Sequence, residues 1–257
     1  MSDRSDVIYR YDGSFEGLMC CVFESYAARE TPADIIGPQD GQVRLLEQKE
    51  IVFDAGRCGR VLRSIPERMG APALDLVRRA YLSCLPQKEL HILRFLRLGY
   101  ERGPAVTSML ADPAVDTLVR AVKHLNNESG LLAGVFRFSD YDGSLVAHIE
   151  PKNCVLPLLS RHFCRRYPEE RFCIWDRTHG LALLYEPYTP RLVSLDRLEL
   201  PEAGREETEF RRLWKLFYDT VAVEGRQNPG CRRSHMPMRY WEYMTEMRPV
   251  LPPRPSV

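Results

Sequence analysis

The chain is 257 residues long, 44% hydrophobic and 28% charged, with a formal net charge of +1. That length supports a large core, as one big domain or two intimately packed ones, and the composition excludes a low-complexity or disordered chain. The near-neutral total excludes a molecule basic all over, but it conceals a polarity: residues 1–54 carry eleven acids against five bases, and residues 57–102 carry ten bases against four acids. Such asymmetry bears on partners more than on fold, although solvated helix faces that neutralise one another account for it equally well.

The first residues, MSDRSDVIYRYDGS, lack the apolar run of a signal peptide, and no window reaches eighteen uninterrupted apolar residues. The expectation is a soluble cytoplasmic protein with no membrane association. Eight cysteines are spread through apolar stretches such as LMCCVF and LSCLP, which favours reduced, buried thiols over a disulfide framework.

In chain order, Val7 to Tyr11 reads as a short extended piece, Asp12-Gly13 as a turn, and Ser14 as the cap of a helix. Phe15, Leu18, Met19, Val22, Phe23 and Tyr26 repeat at helical spacing and form its packing stripe. Gly37-Pro38 and Asp40-Gly41 mark loops. From Gly56 to Gly130 four helical segments follow, separated by proline or glycine. The period then shortens. GVFRFSDYDGSLVAHIEP reads as a hairpin about a two-residue Asp142-Gly143 turn, with Tyr141 opposite Ser144. Counting outward, Phe138 faces Ala147 and Phe136 faces Ile149, while Arg137 faces His148 and Val135 faces Glu150 on the other side. CVLPLLSRHFCRRYP reads as a helix, and RFCIWD and LALLYEPY as strands, the last apolar on both faces and so central. Gly204 to Glu224 reads as a long helix with Phe210, Leu213, Trp214, Phe217, Tyr218 and Val221 as its stripe. A final helix follows Pro237, and PVLPPRPSV is a frayed tail.

The expected fold is therefore α/β of the α+β kind. It comprises a mainly helical region over 1–130, a β-β-α-β-β module with a mixed or antiparallel sheet over 131–200, a C-terminal helical pair over 201–248 and a tail over 249–257, all in one compact unit.

No zinc or iron–sulfur spacing, glycine-rich nucleotide loop or nucleophile elbow occurs, so neither a metal nor a cofactor is expected. Two constellations remain. On the polar side of the hairpin, Arg137, His148 and Glu150 project together, with Asp176, Arg177 and His179 at the next strand's end. A histidine, carboxylates and arginines suit acid–base work on a phosphoester, and equally suit cross-strand pairing. The second is RQNPGCRRSHMPMRYW, which has four arginines, a histidine, two aromatic rings and no carboxylate. Guanidinium forks match phosphate oxygens and aromatic faces stack on bases. Asn228-Pro229-Gly230 imposes a turn that brings Arg226 near Arg232 and Arg233, and the amides of the helix after Pro237 attract an anion. The contact candidates are Arg226, Asn228, Arg232, Arg233, His235, Arg239, Tyr240 and Trp241. The competing reading packs the rings on the domain and pairs the arginines with acids.

The motifs YDGSFEGLMCCVFE, FRF…DGSLVAHIEP, HFCRRYP…FCIWD and WKLFYDTVAVEGRQNP…RRSHMPMRYWEYMTE, in that order, resemble a bacterial family assigned to DNA metabolism and repair. Its members are typically encoded beside a radical S-adenosylmethionine protein of DNA modification or repair, and some relatives are fused to a uracil-DNA-glycosylase-like domain. The resemblance implies an accessory protein that binds DNA and cooperates with the radical enzyme. The alternatives are an enzyme acting on DNA through the polar sheet face, and an adaptor that touches only its protein partner.

Overall fold

A computed structural model describes residues 5–38, 46–200, 204–221 and 228–247. The expected loop at Asp40-Gly41, the contact candidate Arg226 and the 249–257 tail lie outside the described residues. The chain forms two compact units, Met1–Leu125 and Asn126–Val257, with the boundary inside one long helix. No described helix is long and apolar enough to cross a membrane.

The first unit begins with strand β1 (Val7–Arg10), followed by helix α1 (Phe15–Ala27) and strands β2 (Asp34–Ile36) and β3 (Glu47–Glu50). The strands form a parallel sheet in the order β2-β1-β3, so β1 is central, and Val7, Ile8 and Tyr9 are fully buried. Both neighbours of β1 were missed in the sequence, where only β1 itself reads as extended. Tyr9 donates its hydroxyl to Glu30 at 2.6 Å, and Lys49 bridges Glu24 and Glu30 at 2.9 and 3.0 Å.

The turn into α1 is built as its sequence suggests. The Ser14 hydroxyl accepts from the Gly17 amide at 2.8 Å and donates to Asp12 at 2.7 Å. Gly13 takes φ +78°, a left-handed conformation in which a Cβ would also meet Pro38 at 3.0 Å. Helix α2 (Ala55–Met69) leaves the same sheet edge, capped by Asp54, whose carboxylate accepts from the Arg57 amide at 2.7 Å. The sheet thus sets α1 and α2 starting from adjacent strand ends. Helices α3 (Ala71–Tyr81) and α4 (Lys88–Arg102) complete the layer, with Ile65, Met69, Val77, Ile92, Phe95 and Leu96 in the core. A Cβ on Gly99 would stand 2.3 Å from Met69 Sδ, so α4 and α2 meet at a site that only glycine fits without a shift.

Helix α5 (Pro113–Val135) runs past Gly130 and carries the chain into the second unit. There strands β4 (Ser139–Tyr141), β5 (Ser144–Ile149), β6 (Phe172–Asp176), β7 (Leu181–Glu186) and β8 (Thr189–Ser194) form a mixed sheet in sequential order. Strands β5 and β6 are parallel and joined by helix α6 (Leu156–Arg166); the other neighbours are antiparallel. The α+β fold class is as expected, with β8 as an additional edge strand. A ring cluster of Phe136, Phe138, Phe163, Tyr167 and Phe172 packs under α6, with centroids 4.7 to 5.7 Å apart at five contacts.

The hairpin is shorter than its pattern suggests. Tyr141 does pair with Ser144, and Asp142 and Gly143 both have positive φ, as a primed turn requires. The ladder stops at Ser139, because α5 persists to Val135 and residues 136–138 join neither element. The outer pairs, Arg137 with His148 and Val135 with Glu150 among them, are not formed.

Helix α7 (Arg205–Val221) has no buried residue. Of its expected packing stripe, Phe210, Leu213, Phe217 and Val221 are exposed, and only Trp214 and Tyr218 are partly covered. Asn228-Pro229-Gly230 opens helix α8 (Pro229–His235), with the Asn228 side chain accepting from the Cys231 amide at 2.9 Å, and does not form a reversing turn. After Pro237 the chain makes six residues of 3-10 helix (Met238–Tyr243) in place of the expected α-helix. None of the eight cysteines is in a disulfide; Cys20, Cys21 and Cys58 are buried as expected, whereas Cys84 and Cys231 are exposed.

Candidate nucleic-acid interface

Two buried carboxylates organise the C-terminal segment. Glu128, on α5, accepts from the backbone amides of Lys152 and Asn153 at 3.0 and 2.8 Å and from the Asn153 side chain at 2.6 Å. It also accepts from the Tyr240 hydroxyl at 2.5 Å and pairs with Arg239 at 2.9 Å. Burial alone would raise this carboxyl's pKa, but the hydrogen bonds from Tyr240, Lys152 and Asn153 outweigh it and hold the group below its ordinary value. Tyr240 is raised by burial and then by Glu128, so it stays protonated and donating. Glu246 accepts from Arg137 at 2.8 Å and from Trp214 Nε1 at 3.0 Å, while its backbone carbonyl accepts from Lys215 at 3.1 Å.

These contacts divide the basic segment. Tyr240 is fully buried, so neither face of its ring is open to a base. Arg239 lies over the Tyr240 ring at 4.5 Å and is held by Glu128. Trp241 donates its indole N–H to the Met236 carbonyl at 2.9 Å and is half-buried. Arg233 is exposed and among the described residues bonds only the Pro229 carbonyl of its own helix, and Arg232 is partly exposed. His235 ends α8. Of the described contact candidates, Arg232 and Arg233 retain the freedom that phosphate binding needs, whereas Asn228 is a helix cap.

The polar sheet-face group is reassembled in part. Ile149 and Asp176 are register partners at the carboxyl ends of parallel β5 and β6, which places Glu150 and Arg177 side by side in an ion pair of 2.5 Å. Asp176 is fully buried and meets His179 Nδ1 at 2.7 Å. Arg177 also lies over the Trp175 ring at 5.6 Å. His148 is turned edge-on to Tyr243, with centroids 5.4 Å apart. Arg137 does not join this group: its guanidinium caps the end of α5 through the carbonyls of Gly134, Val135 and Phe136 and pairs with Glu246. Among the described residues, no group of three or more histidine, cysteine, aspartate or glutamate side chains could hold a metal ion.

A third site is an open groove of about 440 Å³ in the first unit, between α1, α2 and α4. Its walls are largely apolar, from Val22, Phe23, Tyr26 and Val61, with Arg60, Ser64 and Tyr100 supplying the polar groups. Tyr26 and Tyr100 meet edge to face at 5.5 Å, and the Ser64 and Tyr100 hydroxyls are 2.6 Å apart. Arg57 and Arg60 lie over the Phe23 ring at 5.6 and 5.4 Å, and Arg97 over Tyr26 at 5.3 Å. The sequence reading placed Phe23 and Tyr26 in the packing stripe of α1. The overlooked signal is on α2, where Arg57, Arg60, Ser64 and Arg68 follow i, i+3, i+7 and i+11 and so form a polar face.

A family described as Domain of unknown function (DUF4130) matches residues 86–246, which takes in α5, the sheet and both buried carboxylates. No curated protein and no solved structure matches the chain.

Proposed function

The chain belongs to the DUF4130 family, and from that premise we propose that it is an accessory protein of bacterial DNA repair or modification, binding DNA and cooperating with a radical S-adenosylmethionine enzyme. The observation that carries the DNA half of the proposal is the basic face of α2. Arg57, Arg60 and Arg68 project from it to solvent beside exposed aromatic surface, and Arg60, Arg63 and Arg68 make no ion pair among the described residues. Arginines without carboxylate partners are what a phosphate backbone exchanges for its counterions. Arg232 and Arg233 supply a second exposed basic site. The partner half rests on the resemblance of the motifs quoted above, and the radical chemistry belongs to that partner.

The test is an electrophoretic mobility shift on single-stranded, duplex and uracil-containing DNA, with and without the radical enzyme. Binding is expected to weaken steeply with salt. Arg232→Ala with Arg233→Ala should lower affinity and reduce the log–log salt slope by about two, one per lost phosphate contact. Unchanged affinity in that double variant removes the C-terminal segment from the interface. Absence of any shift by the wild-type chain at low salt, with or without the partner, overturns the proposal.

One observation favours a second reading, an enzyme acting directly on DNA: buried Asp176 meets His179 Nδ1 at 2.7 Å, beside the Glu150–Arg177 pair. A carboxylate behind an imidazole fixes its tautomer and its orientation, as a general base requires. On this reading the isolated protein turns over damaged or modified DNA, and His179→Ala abolishes turnover while leaving the fold and DNA affinity intact. A DNA substrate panel recovered unchanged after incubation excludes it.

A further inference from the structure

The groove between α1, α2 and α4 combines three features that together specify an occupant. Its lining is aromatic, with part of the Tyr26 ring open to solvent. Its rim is cationic, with Arg60 bearing no ion pair among the described residues and stacked over Phe23. Arg57 is balanced by Glu24 at 3.2 Å, and the same carboxylate is shared with Lys49, so the rim retains a net positive charge. The floor is polar only where Ser64 and Tyr100 meet; Ser64 also donates to the Val61 carbonyl, which leaves the Tyr100 oxygen able to accept a further hydrogen bond. The volume of about 440 Å³ lies within the range of small-ligand clefts, about 300–1,000 Å³.

The exposed part of the Tyr26 ring offers a flat ring a surface to lie against, and an anion attached to that ring would meet the guanidinium groups of the rim. A wholly apolar peptide would leave Arg60 without an anion, and an inorganic anion would leave the rings unused. The groove is also open to solvent, so it does not enclose an extracted base in the way that base-flipping pockets do. It suits a strand whose bases are already unpaired, with successive phosphates running along the α2 face past Arg57, Arg60 and Arg68. We propose that the groove formed by Phe23, Tyr26, Tyr100, Arg60 and Ser64 is a base-stacking subsite for single-stranded DNA. This deepens the DNA-binding reading above and rests on it.

The test uses the full chain and single-stranded oligodeoxynucleotides carrying one 2-aminopurine, whose fluorescence reports stacking, together with anisotropy of an end label, which reports total binding. The wild type is expected to change the 2-aminopurine signal on binding and to prefer the single strand over the duplex. Tyr26→Ala, at an exposed ring, should abolish the fluorescence change and weaken single-strand binding about tenfold, the effect of losing one stacked base. Arg60→Ala should weaken it and lower the salt slope by about one. Anisotropy and 2-aminopurine response both unchanged in the two variants would overturn the groove assignment while leaving the DNA-binding reading intact. A wild type that binds no oligonucleotide at low salt would overturn both. A dimer of the wild type that Tyr26→Ala converts to monomer would give the groove to a second copy of the chain and overturn the assignment.

Discussion

Replacing Glu128 with alanine is expected to destabilise the second unit by about 2–4 kcal/mol, chiefly the cost of leaving buried donors without their acceptor, since Arg239 is 38% exposed and its ion pair is screened by solvent. Among the described residues Glu128 accepts five hydrogen bonds, so the substitution removes an acceptor from the Tyr240 hydroxyl, the Asn153 side chain, two backbone amides and one arm of Arg239. Each buried donor left without an acceptor adds to the penalty. Urea denaturation followed by far-ultraviolet circular dichroism checks the magnitude, and a loss under about 1 kcal/mol would show that water replaces the carboxylate without cost. Glu128→Gln separates charge from shape, because the amide keeps one acceptor and turns a donor toward donors. The wild type should also show an acid limb that the Gln variant lacks. The Glu128 pKa is depressed in the folded chain, so its stabilisation is complete above the ordinary carboxylate pKa and is lost as pH falls through the depressed value.

Features that are local in sequence were legible, and those that depend on distant partners were not. Asp12, Gly13 and Ser14 announce the turn and cap before α1, and Asp142-Gly143 announces a hairpin, because each motif satisfies its own backbone. Strand β3 reads Glu-Gln-Lys-Glu and is a strand only because its backbone pairs with β1. Strand β8 begins Thr-Pro-Arg, tolerable at a sheet edge but a poor strand signal in isolation. The error at Arg137 came from extending a correct register beyond Ser139, where the ladder stops short of the end of α5. Glu128 did leave a signal. It stands in the apolar repeat of Leu125, Leu132 and Val135, where a carboxylate must find donors or carry a large desolvation cost. The groove was hidden for the opposite reason, since Phe23 and Tyr26 lie in a stripe whose inner members, Leu18, Met19 and Val22, really are core. Helical periodicity does not show where burial stops along a stripe, and here the change falls at Phe23.

Glu246→Ala should release helix α7 from the second unit. With Phe210, Leu213, Phe217 and Val221 facing solvent, α7 is tied down largely by polar contacts. Glu207 accepts from the Asp140 amide at 3.2 Å and Arg211 donates to Ser139 at 2.6 Å near its start, while Trp214 and Lys215 both converge on Glu246. Alanine removes the Trp214 acceptor and leaves Arg137 without its counter-ion at the end of α5, at a cost of about 2–4 kcal/mol. Hydrogen exchange should speed up through 205–221, with the strands β5 to β7 still protected; unchanged exchange there would show that α7 is held by something other than this node. Glu128 and Glu246 grip the two ends of one short segment, Arg239-Tyr240 at one and residue 246 itself at the other. Once either end is free, the ordering that the other end enforces loses much of its value. A double-mutant cycle should therefore give a combined cost below the sum of the single costs by about 1 kcal/mol or more, as expected for residues that share one structural element. Strict additivity would mean that the two carboxylates stabilise separate parts of the unit and that the segment between them is not a single clamp.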